Sequence, residues 1–206
     1  MSGRFQGRLD SPLVPDGLDE IAAAAAYLAT LSPVTLSTSP ALRARATASY
    51  VEKLVGLDGV VDDGLNEVSL GVWEGLTHDE VREQFPQEYR SWRIGADVRR
   101  GGGETYVEVG VRVRESLERL VARTPPGGTA VAVTHAGTSR SAIGVMLDLP
   151  VAAWPRLGPV GNVRWSVLVE SDRGWRLAEH NAGVLEPISG LMNSADTEPV
   201  DSRESR

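Results

Sequence analysis

The chain has 206 residues, long enough for one ordinary domain that buries a core without staples. It has no cysteine, which excludes disulfides and thiolate metal sites, and its net charge of −7 with no basic tract argues against nucleic acid as the main partner. No apolar run reaches the ~18 residues of a membrane span and the N-terminus has no apolar signal core, so a cytoplasmic protein without a membrane partner is expected.

In chain order, Asp16 is positioned to cap a helix through Gly17–Leu31, whose "IAAAAAYLATL" has high helix propensity. Pro33–Thr38 reads as a strand, and Ser39-Pro40 as the N-cap and first position of a second helix. Val60–Val61 begins a strand region, and Leu65–Gly75 is too glycine-interrupted for helix. Thr77-His78-Asp79-Glu80 and Thr105-Tyr106-Val107-Glu108 each fit a capping box. The second opens a helix to about Ala122, with Val109, Val113, Leu117 and Leu120 on one side. His78 is expected in solvent, and "RRGGGE" between the boxes is a loop.

Residues 129–144, "TAVAVTHAGTSRSAIG", form an apolar run ending at His135 and turning into a helix expected over Ser139–Leu147. Ala130, Val131, Ala132 and Val133 have the unalternating character of a parallel strand buried on both faces. The turn after such a strand is where open α/β sheets bind ligands, and a helix N-terminus there suits an anion. A "VAAWP" segment follows, then strands Val163–Glu170 and Trp175–Glu179 joined by Ser171-Asp172-Arg173-Gly174, with His180 after the last strand. The alternation predicts an α/β three-layer sandwich with a mostly parallel central sheet. The polar, aperiodic residues 189–206 are expected to be a disordered tail.

On its own, a histidine at a strand end is more often structural than functional. Gly137-Thr138-Ser139-Arg140-Ser141 lacks the last glycine of a serine nucleophile elbow. The only lysine, Lys53, is far from any P-loop position. Two further residues give His135 company: Arg43 in "SPALRARATA" at a helix start, and Glu67 in "LNEVSLGVWEG" in an irregular loop. An arginine fork pairs with phosphate oxygens, a carboxylic acid can protonate a leaving alkoxide, and a histidine can stabilise or attack phosphorus.

With "GRFQGRLDSPLVPDG", "GGGET" and "VAVTHAGTSR" in the same order, these motifs resemble the histidine phosphatase superfamily, the phosphoglycerate-mutase-like proteins, over residues 3–185. "LPVAAWPRLGPVGNVRW" further resembles the actinobacterial branch that includes glucosyl-3-phosphoglycerate phosphatases. The resemblance implies a phosphomonoesterase that needs no cofactor and no metal, acting on a small phosphorylated metabolite. By it, Arg43 clamps the phosphoryl group, Glu67 is the general acid, His135 and the N–H of Ala136 stabilise the equatorial oxygens, and Gln6 touches substrate at the pocket mouth. "LGVWEG" resembles the phosphatase side of the superfamily more than the mutase side.

The same resemblance calls for a nucleophilic histidine in an Arg-His-Gly motif at the end of a first strand, just before "GRFQG", and the sequence before Gly3 holds neither. Residues 1–188 are therefore expected to be an N-terminally truncated domain, its first strand and nucleophile upstream of Met1, inactive as written. A non-catalytic phosphate-ester-binding protein is the alternative in another class, and a phosphoglycerate mutase a third reading. The arginines between Gly75 and Gly103 (Arg82, Arg90, Arg93, Arg99, Arg100) read as a solvated face more readily than as a second anion site.

Overall fold

The computed structural model describes residues 3–10 and 17–184, so Asp16 as a helix cap and the tail over 189–206 lie outside the described residues. Helix α1 spans Leu18–Thr30, and strand β1 spans Pro33–Thr38. Helix α2 covers Leu42–Val55, and the two-residue strand β2 is Val60–Val61. Two short helices, α3 (His78–Gln84) and α4 (Pro86–Arg93), precede the long α5 (Tyr106–Ala122). Strand β3 (Thr129–Val133), helix α6 (Ala136–Met146) and the hairpin of β4 (Trp165–Ser171) and β5 (Gly174–Ala182) complete the order. No helix among the described residues is long and apolar enough to cross a membrane.

The sheet order is β2-β1-β3, all parallel, so the carboxyl ends of three strands share one edge. Alternation along β3 sorts its side chains between two helical layers. Val131 and Val133 pack with Leu36, Ala48 and Val51 under α1 and α2, while Ala132 joins Val113, Leu117 and Ala142 under α5 and α6. This is the expected three-layer α/β sandwich. A third cluster, Phe5, Val68, Leu70, Trp73, Val81 and Val109, lies beneath α3 and α4 and fastens the loop after β2 to the body. The N-terminal segment is tied to the same region, since Phe5 N–H donates to Leu76 O (2.9 Å) and Gly75 N–H to Phe5 O (2.7 Å).

Both capping boxes form: Glu80 N–H donates to Thr77 Oγ1 and Glu108 N–H to Thr105 Oγ1, each 3.2 Å, with the glutamates reaching back. Several expectations need correction. First, β3 is half-buried along all five residues instead of buried. It pairs with β1 on one edge, and among the described residues no strand pairs with the other, while β4 and β5 form a separate antiparallel hairpin. Second, α2 begins at Leu42, with Ala41 as N-cap and Pro40 outside the helix. Third, His78 is not in solvent: its ring centroid lies 4.4 Å from that of Phe5 and 5.8 Å from that of Trp92, and Nδ1 is 3.3 Å from Tyr89 Oη. Fourth, His180 is inside β5, held between Ser166 Oγ (3.0 Å) and Gly158 O (3.0 Å).

Candidate active site

The site is assembled where β1, β2 and β3 end. His135 lies two residues past the end of β3 and is the N-cap residue of α6, and Arg43 sits in the first turn of α2, entered from β1. Because β1 and β3 are adjacent and in parallel register to Thr38↔Val133, their next residues meet. Ser39 N–H donates to Val133 O at 2.9 Å, extending the pairing one step beyond the strands.

Arg43 Nε lies 3.3 Å from His135 Nδ1, and His135 Nε2 lies 2.7 Å from Ser39 Oγ. A guanidinium can only donate, so Nδ1 is the acceptor and the imidazole proton resides on Nε2, donated to Ser39. Burial pushes the His135 imidazole down to about 4, with the cations of Arg43 and Arg112 adding to the effect and the carboxylates of Glu67 and Asp10 opposing it. The ring is therefore neutral near pH 7. Arg43 Nη1 donates to Leu9 O (2.8 Å) and Nη2 to Gly7 O (3.1 Å), which brings the segment after Gln6 over the site. All its partners are neutral, and among the described residues Arg43 makes no ion pair, so its charge is open to an anion.

Glu67 comes from the loop after β2. Its Oε1 accepts from Val68 N–H (2.9 Å), Thr138 N–H (3.1 Å) and Thr138 Oγ1 (3.2 Å), and Oε2 from Gly137 N–H (3.4 Å). The first-turn N–H groups of a helix have no intrahelical partner, so the carboxylate acts as a cap supplied from far along the chain. This explains why α6 begins at Ala136, three residues before the start expected from its own sequence. Gly137 makes room for the contact: a Cβ there would sit 2.9 Å from Glu67 Oε1 and 2.8 Å from Val68 Cγ2. Thr134 Oγ1 donates to Leu65 O at 2.6 Å, fastening the same loop to the end of β3.

Arg43, Glu67, His135 and Ala136 thus share one edge, and Gln6 is exposed on the adjoining segment. Ser39 is a site residue that sequence reasoning assigned elsewhere: its oxygen also accepts from Ala41 N–H (3.3 Å), in a turn short of the helix, while Asp10 Oδ1 takes the Leu42 N–H at 2.9 Å. Thr138 was missed, although it lies within the quoted "THAGTSR". The arrangement offers a charged fork, a neutral imidazole and a carboxyl group at one end of the sheet, the kinds of group needed to hold a phosphoryl group and pass a proton to a leaving oxygen. The chain's other two histidines, His78 and His180, are elsewhere. Ser139, on the second turn of α6, is not the serine bonded to His135, which removes the geometric basis for a serine hydrolase. In the arginine-rich segment Arg82 pairs with Asp79 and Arg99 with Glu108, both exposed, whereas Arg100 is buried over the Tyr106 ring, 4.3 Å from its centroid.

Known proteins resemble the chain over most of its length. Residues 1–183 match the histidine phosphatase superfamily (branch 1). A glucosyl-3-phosphoglycerate phosphatase of Mycobacterium tuberculosis is 36% identical over 198 residues, covering 88% of each chain. A protein of the same name from Mycolicibacterium vanbaalenii is 34% identical over 196 residues, covering 87% of each. The native structure of a mycobacterial glucosyl-3-phosphoglycerate phosphatase superposes with a TM-score of 0.82 at 36% identity, over 88% of this chain and 93% of that one. The chain belongs to the histidine phosphatase superfamily.

Proposed function

We propose that the protein, a phosphomonoesterase by its family and relatives, hydrolyses a small phosphorylated metabolite through a covalent phosphohistidine. The observation that carries the site assignment is Arg43, free of any carboxylate partner among the described residues, bonded to a neutral His135 at the α6 N-terminus, whose first turn also holds Glu67. Arg43 and His135 bind the equatorial oxygens. A nucleophilic imidazole nitrogen attacks phosphorus as the bond to the leaving oxygen breaks, and Glu67 delivers a proton to that oxygen. Water then attacks the phosphohistidine, its proton passes to the Glu67 carboxylate, and orthophosphate departs.

The scheme needs a second imidazole as nucleophile, and an Arg-His-Gly strand added upstream of Met1, giving an extended polypeptide, would supply it. Two observations support that reading: His135 is the single imidazole at the site, and β3 keeps one edge unpaired by any described strand, where a parallel strand ending at the same site would fit. Glucosyl-3-phosphoglycerate is the first ester to test, because relatives 34–36% identical carry that name. Phosphate release from it, from phosphoserine and from 3-phosphoglycerate by the extended polypeptide discriminates substrate classes. No release from any of them, with Arg43-dependent phosphate binding by calorimetry, would instead support a non-catalytic binding protein.

A further inference from the structure

The loop carrying Glu67 has no ladder of its own. A 3-10 turn covers Asp63–Leu65, and Asn66 to Leu70 is irregular, so its backbone groups need partners from elsewhere. Four of them are held by one ion pair. Arg112, on the face of α5 toward this loop, donates from Nη1 to Gly64 O (2.7 Å) and Asn66 O (2.8 Å), and from Nη2 to Glu67 O (3.1 Å). Its remaining donors go to Glu104, Nε to Oε1 (2.8 Å) and Nη2 to Oε2 (3.0 Å), which occupies the whole donor fork.

Glu104 completes the clamp from the other side of Glu67. Its Oε2 accepts from Ser69 N–H at 2.9 Å and from Arg8 Nη2 at 3.1 Å, and Arg8 Nε donates to Glu67 O at 3.0 Å. Burial works to raise the Glu104 carboxyl, but the bonds from Arg112 and Ser69 outweigh it and hold it below the ordinary carboxylate range. The Arg112 and Glu104 side chains are 18% and 20% exposed, so this pair is far less open to water than the others at the surface.

We infer that Arg112 and Glu104 are a positioning pair for Glu67, fixing its backbone so that its carboxylate reaches the first turn of α6. This rests on the reading of Glu67 as the proton donor. The pair holds carbonyls at 64, 66 and 67 and the N–H at 69, bracketing the residue on both sides. A shift of about 1 Å is enough to misplace a reacting group. Lysine cannot substitute for the fork, because an ammonium has three donors and cannot span the carboxylate and the carbonyls together.

The test reads the position of the carboxylate directly. In the first turn of α6 the Thr138 amide has Glu67 as its partner, so its hydrogen exchange reports whether that carboxylate is in place. Exchange is measured by NMR on the 206-residue chain and on Arg112→Lys, Glu104→Gln and, as a control, Arg82→Ala. The Leu147 amide, bonded to Ile143 O at 3.1 Å, is the internal reference for general loosening. Protection of Thr138 relative to Leu147 is expected to fall at least about tenfold in Arg112→Lys and Glu104→Gln and to hold in Arg82→Ala. If it is unchanged in both variants, whatever happens to the melting temperature, the pair only stabilises the fold and the inference is overturned. Should Arg112→Lys fail to fold, Glu104→Gln decides alone. No turnover enters this measurement, so a failure of Glu67 as acid is read separately, from Glu67→Gln activity.

Discussion

Arg43 Nε donates to His135 Nδ1 at 3.3 Å, and this contact fixes which nitrogen of the imidazole carries the proton. It also explains why a histidine beside two carboxylates stays neutral: it is buried and faces cations, so the charged form is disfavoured.

Stability should therefore fall on mild acidification. The folded-state value of His135, about 4, lies below the ordinary 6.5, so the unfolded chain takes up the proton first as pH drops. The stabilisation is complete above about 6.5 and is lost as pH falls toward about 4, on the order of 3 kcal/mol in all. Urea denaturation at a series of pH values checks this: the slope between those limits is expected to be shallower in His135→Phe. An equal slope in wild type and variant would assign it to other groups.

Ser39→Ala should leave the His135 Nε2 proton without its acceptor in a site buried at Ser39 itself. An unsatisfied buried donor costs about 1–3 kcal/mol. Chemical denaturation gives the magnitude, and imidazole nitrogen shifts give the second readout: with Arg43 still donating to Nδ1, the proton is expected to stay on Nε2.

Gly137→Ala separates helix propensity from site geometry. By propensity alone, alanine for glycine in a helix stabilises by about 1 kcal/mol. The added Cβ would lie inside contact distance of Glu67 Oε1 and Val68 Cγ2, so the gain is expected to be cancelled and Glu67 displaced from α6. A clear rise in melting temperature with an unchanged Thr138 amide shift would contradict the seating of Glu67 described above.

What the sequence made legible was local. Both capping boxes and the bounds of β1 and α5 follow from residues within a few positions of one another. The start of α6 did not, since its cap is a carboxylate 71 residues away from Thr138. Ser39 has the pattern of a helix cap, but its oxygen is drawn to His135, 96 residues distant, and the helix starts later. His78 sits in a capping box that suggests solvent, whereas Phe5 and Trp92 arrive from other parts of the chain to cover it. Arg43, Glu67 and His135 were singled out by their motifs, and the fold brings them to one end of the sheet, but the contacts of Ser39, Thr138 and Asp10 beside them arise only in the folded chain.

The most direct test of the account is orthophosphate release from a phosphomonoester, measured side by side for the 206-residue chain, for the polypeptide extended upstream with an Arg-His-Gly strand, and for Glu67→Gln and His135→Ala in the extended form. The account predicts turnover by the extended polypeptide, a loss of about 10²–10⁴-fold in Glu67→Gln with esters of poor leaving groups, and background rates for the 206-residue chain. Comparable turnover by the 206-residue chain would place the nucleophile elsewhere, and an extended polypeptide indifferent to Glu67→Gln and His135→Ala would contradict the assignment of the site.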